Sequence, residues 1–194
     1  MEKQALIAMG GNLPWNGGEP LQTIIAAQKA VCDAFGGAVT ASRPYRTPAF
    51  PAGAGPDYVN AAVLVTLRHI ADAAEVLATL HRIEARFGRE RNQRWGQRTL
   101  DLDLLALDDL VRPDLPTWRH WHDLPPDQQT RQAPADLILP HPRLQDRAFV
   151  LVPLADVAPD WRHPVLGVTV RQMLDALPPE VVAEVVPLDS AGLS

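Results

Sequence analysis

Apolar residues fall into short runs whose spacing switches between two periods along the chain. Residues 4–9 (QALIAM) are a compact apolar run closed by Gly10-Gly11-Asn12, which predicts a buried strand ending in a turn. Over residues 20–35 the period becomes helical. Pro20 suits the first position, Leu21, Ile24, Ile25, Gln28, Val31, Cys32 and Phe35 share a face, and Gly36-Gly37 supplies the stop. Residues 38–46 predict a strand, followed from Thr47-Pro48 through Pro56 by a loop rich in Pro, Gly and Ala. The clearest strand is 58–67 (YVNAAVLVTL). Asp72 with Glu75 is a capping signature for a helix that places Val76, Leu77, Leu80, Ile83 and Phe87 on one side and ends at Gly88. Residues 99–107 (TLDLDLLAL) alternate polar and apolar before turning apolar, as a half-buried strand does.

The order strand–helix–strand–strand–helix–strand over residues 4–107 predicts an α+β fold. Its form is a ferredoxin-like α/β sandwich with a mostly antiparallel sheet. Two amphipathic helices would cover one face and leave the other for a ligand. Residues 112–136 break the pattern with five prolines and no sustained period. They read as an irregular, solvent-facing insert that chemistry can spare, with Trp118 and Trp121 available to dock it. C-terminal additions follow: a helix at 168–177 and a final strand near 181–187. No repeat recurs at a fixed period, so residues 1–194 read as one domain.

Composition narrows the class. A net charge of −5 and a pI near 5.6 argue against a protein that coats nucleic acid. The single Cys32 cannot form an internal disulfide, and no stretch approaches the roughly 18 apolar residues of a membrane span. The first residues carry too short an apolar run for a signal-peptide core. The expectation is a soluble, cytoplasmic protein. Of the 18 basic residues only Lys3 and Lys29 are lysine. The placement of the arginines carries more information than their number.

Asp101 and Asp103 stand two apart on a predicted strand, so both carboxylates leave the same face while Leu102 and Leu104 enter the core. Such a pair suits a hard cation such as Mg²⁺, and equally a plain solvated face. Just upstream, GRERNQRWGQRTLDLD crowds Arg89, Arg91, Arg94 and Arg98 around Trp95. Like charges at this spacing repel unless a polyanion joins them. Arginine clamps beside paired carboxylates are the parts phosphoryl transfer needs; a solvated basic loop is the plainer alternative. No G-x-x-x-x-G-K-[ST] loop is present. Tyr58 and Asn60 share a strand face, and with Phe149 and the Thr47-Pro48-Ala49-Phe50 loop they offer an aromatic surface and an amide to a flat heterocycle. The histidines, His120 and His122 included, lack the partners of a zinc site.

Taken in order, Gly10-Gly11-Asn12-Leu13, YRTPAF (45–50), DYVNAAV (57–63), RIEARFGRER (82–91), RWGQRTLDLDLL (94–105) and LPHPRLQDRAFVL (139–151) resemble the 6-hydroxymethyl-7,8-dihydropterin pyrophosphokinases of folate synthesis. The resemblance spans nearly the whole chain outside the insert and the last residues. It implies transfer of the pyrophosphoryl group of ATP to the hydroxymethyl group of the reduced pterin, giving AMP. It further implies two Mg²⁺ ions on Asp101 and Asp103, and a pterin held by Tyr58, Phe149, Asn60, Thr47, Pro48 and Phe50. Glu84, Arg91, Trp95, His141 and Arg147 match the ATP side, and Arg89 and Arg98 match loop arginines that act on the phosphates. The partners so implied are small molecules, with neither nucleic acid nor membrane, and a monomer is expected. Three positions depart from the family pattern: Gly11 for a serine, Gln97 for a proline, and His81 where a glutamine often meets the adenine. An inactive relative, or a ferredoxin-like ligand- or RNA-binding module, is the alternative reading.

Overall fold

A computed structural model describes residues 2–49, 55–67, 72–88, 98–125, 128 and 132–189. Strand β1 (Lys3–Gly11) lies at the centre, antiparallel to β4 (Tyr58–Leu67) on one side and to β5 (Asp101–Leu107) on the other. Strands β2 (Val39–Ala41) and β3 (Tyr45–Thr47) both pair with the far edge of β4, and a short β6 (Val186–Pro187) extends the sheet beyond β3. Every pairing is antiparallel, and the order matches the ferredoxin-like α+β sandwich expected from the chain pattern.

Helices α1 (Pro20–Phe35) and α2 (Ala73–Arg86) cover one face. Ile24, Val31, Leu80 and Ile83 pack there against Ile7, Met9, Val63 and Leu104. The capping box of α2 forms as its sequence predicts: Glu75 N–H donates to Asp72 at 2.9 Å, and Asp72 N–H donates back to Glu75 at 3.2 Å.

The opposite face is only partly open, which corrects the sequence expectation. Helix α4 (Ala148–Val157), with α5 (Val170–Asp175), lies over Leu6, Ala62 and Ala106 through Leu151, Leu154 and Met173. A bulge makes this possible. The β1–β5 register shifts between Leu6 and Ile7, so Leu104 faces α1 and α2 while Ala106 faces α4. The apolar end of TLDLDLLAL thus serves two cores.

Three further expectations are corrected. The predicted strand 38–46 is two strands, because Ser42 Oγ accepts the Ala62 N–H at 2.9 Å and Pro44 has no N–H to give the ladder. The insert, read as irregular, holds α3 (Leu115–Asp123). Asp114 caps it by accepting the Thr117 N–H at 2.8 Å, and a proline occupies its first turn. The predicted strand near 181–187 begins as α6 (Pro179–Ala183), launched by Pro178-Pro179, and only Val186–Pro187 is extended.

Candidate active site

The register of the sheet assembles the site. Gly10 on β1 lies opposite Asp101 on one side and Asn60 on the other, and Asn60 is paired in turn with Tyr45 on β3. Ala8 lies opposite Asp103 and Ala62 in the next row of the same face. With neighbouring strands about 4.8 Å apart, Asp101 and Asn60 stand about 10 Å from each other across a glycine floor. Tyr58, two residues from Asn60, joins this face opposite Thr47.

A cavity of about 570 Å³ opens over this floor, just beyond the end of α4 that carries Ala148 and Phe149. Asp101, Asp103, Arg98 and Arg147 line its charged part. Tyr58, Asn60, Thr47, Pro48 and Phe149 are the aromatic and uncharged residues that also line it, Tyr58, Asn60 and Thr47 coming from β4 and β3. Phe149 keeps 41% of its surface exposed although it is a large hydrophobe. Val181 and Val185, from α6 and the residues after it, close one side. No sequence signal marks those two, since only the β3–β6 pairing brings the chain end there.

Several of these side chains are tied to neighbours. The Asn60 amide donates to Thr47 Oγ1 at 2.7 Å. Arg98 pairs with Asp101, and its N–H donates to Asn12 Oδ1 at 3.0 Å. Arg147 lies over the Phe149 ring, 5.7 Å from its centroid. Burial lowers the Arg147 pKa while Asp103, then Asp101, oppose that shift. A second network ties α4 to the sheet. Tyr45 Oη donates to Asp156 at 2.8 Å and accepts from Arg43 at 3.1 Å. Burial, then Asp156, raises the Tyr45 phenol above its ordinary range. No sequence signal pairs these residues, for Tyr45 and Asp156 are 111 positions apart.

Glu84 and His141 lie outside the cavity lining. Glu84 is 1% exposed, and its Oε1 accepts the N–H of Leu102 at 2.8 Å, the residue between the two aspartates. His141 follows Pro140, and its Nδ1 accepts the Arg143 N–H at 3.1 Å. Burial first, then Arg147 and Arg143, pushes its pKa down to about 3. The ring is therefore neutral at pH 7 with its proton on Nε2. Phe50, Arg89, Arg91 and Trp95 lie outside the described residues, as does Gln97. None of the described helices is long and apolar enough to cross a membrane.

Comparison with known proteins bears on this geometry. The profile of the 7,8-dihydro-6-hydroxymethylpterin-pyrophosphokinase family matches residues 6–159. The chain is 38% identical over 184 residues to the 2-amino-4-hydroxy-6-hydroxymethyldihydropteridine pyrophosphokinase of Synechocystis, covering 94% of this chain and 80% of the relative. It is 32% identical to the protein of the same name from Haemophilus influenzae, covering 88% and 93% of the two chains. Among solved structures, the Plasmodium falciparum HPPK-DHPS protein aligns with a TM-score of 0.61 at 14% identity. That alignment covers 90% of this chain and 44% of the longer one, a likeness of fold alone. Sequence likeness of this extent, laid over the strand that carries Asp101 and Asp103, makes the chain a member of the 7,8-dihydro-6-hydroxymethylpterin-pyrophosphokinase family.

Proposed function

We propose that the chain transfers the pyrophosphoryl group of ATP to the hydroxymethyl group of 6-hydroxymethyl-7,8-dihydropterin, giving AMP and the pterin diphosphate for folate synthesis. One observation carries this reading. One sheet face carries two carboxylates, an amide and the Tyr58 ring, and the segment before β5 and the start of α4 bring two arginines and the Phe149 ring to the same cavity. Anion chemistry and flat-ring binding are neighbours there.

Tyr58 and Phe149 would take the pterin between their rings, with Asn60 and the Thr47-Pro48 backbone at its polar edge. Phe50 joins this set by its place in the motif. Arg98 and Arg147 offset phosphate charge and orient the chain of phosphates. Arg89, Arg91 and Trp95 are assigned to the ATP side by the same resemblance, as is Glu84, which also fixes the strand segment between the aspartates. The neutral His141 offers an Nε2–H donor to an anionic oxygen without adding charge. Mg²⁺ fits Asp101 and Asp103. They share a face over Ala8 and Gly10, and no group of three or more His, Cys, Asp or Glu ligands occurs among the described residues. Phosphate oxygens and water would complete the coordination, as Mg²⁺ favours. Asp101 and Asp103 would hold two such ions, whose positive charge would offset that of the phosphates and favour displacement at the β-phosphate.

We read residues 1–194 as one pyrophosphokinase domain with its insert at 112–136, acting as a cytoplasmic monomer. The deciding experiment incubates the purified chain with ATP, Mg²⁺ and the reduced pterin and resolves products by chromatography. AMP and pterin diphosphate in equal amounts are expected, dependent on Mg²⁺; ADP, or no product, would overturn the reading.

A further inference from the structure

The helix of the proline-rich insert is bound to the body at a place that matters to the site. Trp118 of α3 is 1% exposed, and its Nε1–H donates to the Pro140 carbonyl at 2.7 Å. Its ring stacks on His122 with centroids 4.8 Å apart and meets the edge of His163 at 5.3 Å. His163 is fully buried and lies 5.6 Å from Trp161, whose indole N–H reaches the Asp108 carbonyl just past β5 at 3.4 Å. One indole thus joins the insert both to the segment before His141 and to the turn after α4.

Pro140 is covalently followed by His141, so whatever holds the Pro140 carbonyl also holds the peptide that carries the imidazole. The strip has backbone ties on either side. Arg112 and Leu139 exchange N–H···O bonds of 2.9 and 3.2 Å, and the His141 N–H donates to the Leu105 carbonyl at 2.7 Å. Between them lies the Pro140 carbonyl, and a side chain from the insert satisfies it. Leaving that buried carbonyl without its donor costs a desolvated acceptor as well as a bond.

We propose that Trp118 is a positioning residue for the ATP side of the site, acting through Pro140 to fix the place and orientation of His141. This rests on the function proposed above and changes the reading of the insert: its helix supports the site rather than decorating it. Trp118 touches no reacting atom, so its loss shifts nucleotide binding while leaving the aromatic slot for the pterin intact.

Trp118→Phe retains a ring between His122 and His163 and deletes the donor. Calorimetry with Mg²⁺ and an ATP analogue carrying a methylene between its α- and β-phosphates measures the nucleotide; 6-hydroxymethylpterin is titrated at saturating analogue. Both titrations are repeated in a His141→Ala background. Expected are analogue binding weaker by about three- to tenfold, the scale of one neutral hydrogen bond, and pterin binding changed by less than about twofold. The Trp118→Phe effect should vanish once His141 is alanine, because residues acting through one another do not add. Unchanged analogue affinity, a parallel loss of both ligands, or an undiminished effect in the His141→Ala background overturns the proposal. Should the Phe variant not fold, benzothienylalanine placed at position 118 makes the same comparison, with sulfur for N–H in a ring of the same shape. Wild-type turnover is measured first: its absence would overturn the proposed function, whereas active wild type with an indifferent Trp118 overturns only this inference.

Discussion

Acid should unfold this protein partly through His163. The ring is fully buried, its Nδ1 accepts the N–H groups of Val165 and Leu166 at 3.2 Å each, and among the described residues its Nε2 meets no hydrogen-bonding partner. Burial, and then the nearby His122, pushes its pKa from 6.5 down to about 4. The folded chain therefore keeps His163 neutral where the unfolded chain begins to take up a proton. The unfolded state binds more protons below about pH 6.5, so the stability tied to a neutral His163 is whole above that value. It is lost progressively as pH falls toward 4. From pH 7 to pH 5 the loss is about 2 kcal/mol, that is, roughly 1.5 pH units at about 1.4 kcal/mol each. His141 titrates in the same direction and window, since its pKa is lowered to about 3. The assay must separate the two. His163→Asn keeps an acceptor for the Val165 and Leu166 amides and removes the titration. Urea unfolding at pH 7 and pH 5 reads the difference. The variant should lose about 2 kcal/mol less than wild type between the two pH values, although it starts from lower stability because the ring packing is gone. Equal pH slopes for the two proteins would refute the reasoning.

Three other outcomes follow from the geometry. Asp101→Ala and Asp103→Ala should each abolish turnover in a chain that stays folded by circular dichroism; either variant with more than about a tenth of wild-type activity, a barrier change of only about 1.4 kcal/mol, refutes the metal role. Gly11→Ala would put a Cβ 2.3 Å from the Thr99 carbonyl oxygen, so it should cost about 1–3 kcal/mol in urea unfolding by pushing the 98–99 backbone off β1, and a neutral variant would contradict that contact. Tyr58→Ala and Phe149→Ala should each weaken pterin binding about tenfold, the scale of one stacked aromatic, and Tyr58→Ala, which leaves the Arg147–Phe149 contact in place, should not affect the ATP analogue in calorimetry; a Tyr58→Ala change confined to the nucleotide would reverse the assignment of the two halves of the cavity.

What the chain reveals by itself depends on how far apart the deciding residues lie. Strand β4 was legible residue for residue, because its apolar run and the turn residues before it are local. The capping box of α2 was legible for the same reason. The Asp101–Asp103 pair could be placed on one face because strand period is set by adjacent residues. Helix α3 was masked by its own start signals. Asp114 and Pro116 are good N-terminal helix residues, but among so many prolines they read as loop. Its anchor, the Trp118–Pro140 bond, spans 22 residues. The contact between Glu84 and the Leu102 amide spans 18 residues, and the Tyr45–Asp156 bond 111. No periodicity encodes such pairs.

Gly10 and Gly11 show the same limit at one point of the chain. After an apolar run they read as a turn, since glycine most often marks a change of direction. Instead both lie inside β1, in full register with β4. Their reason is lateral. A Cβ on Gly10 would come within 2.9 Å of Asn60 Oδ1, whose amide is already tied to Thr47. A Cβ on Gly11 would meet the Thr99 carbonyl, next to the Arg98 carbonyl that accepts the Asn12 and Leu13 N–H groups at 3.0 and 3.2 Å. The first glycine lets Asn60 and Asp101 face one another across bare backbone. The second lets the segment carrying Arg98 settle against β1, close enough for its guanidinium to reach Asp101. Any side chain in place of Gly11 would need that segment to sit farther out. The bare backbone at Gly11 and the close approach of residues 98–99 are therefore one feature, and the Gly11→Ala measurement tests it.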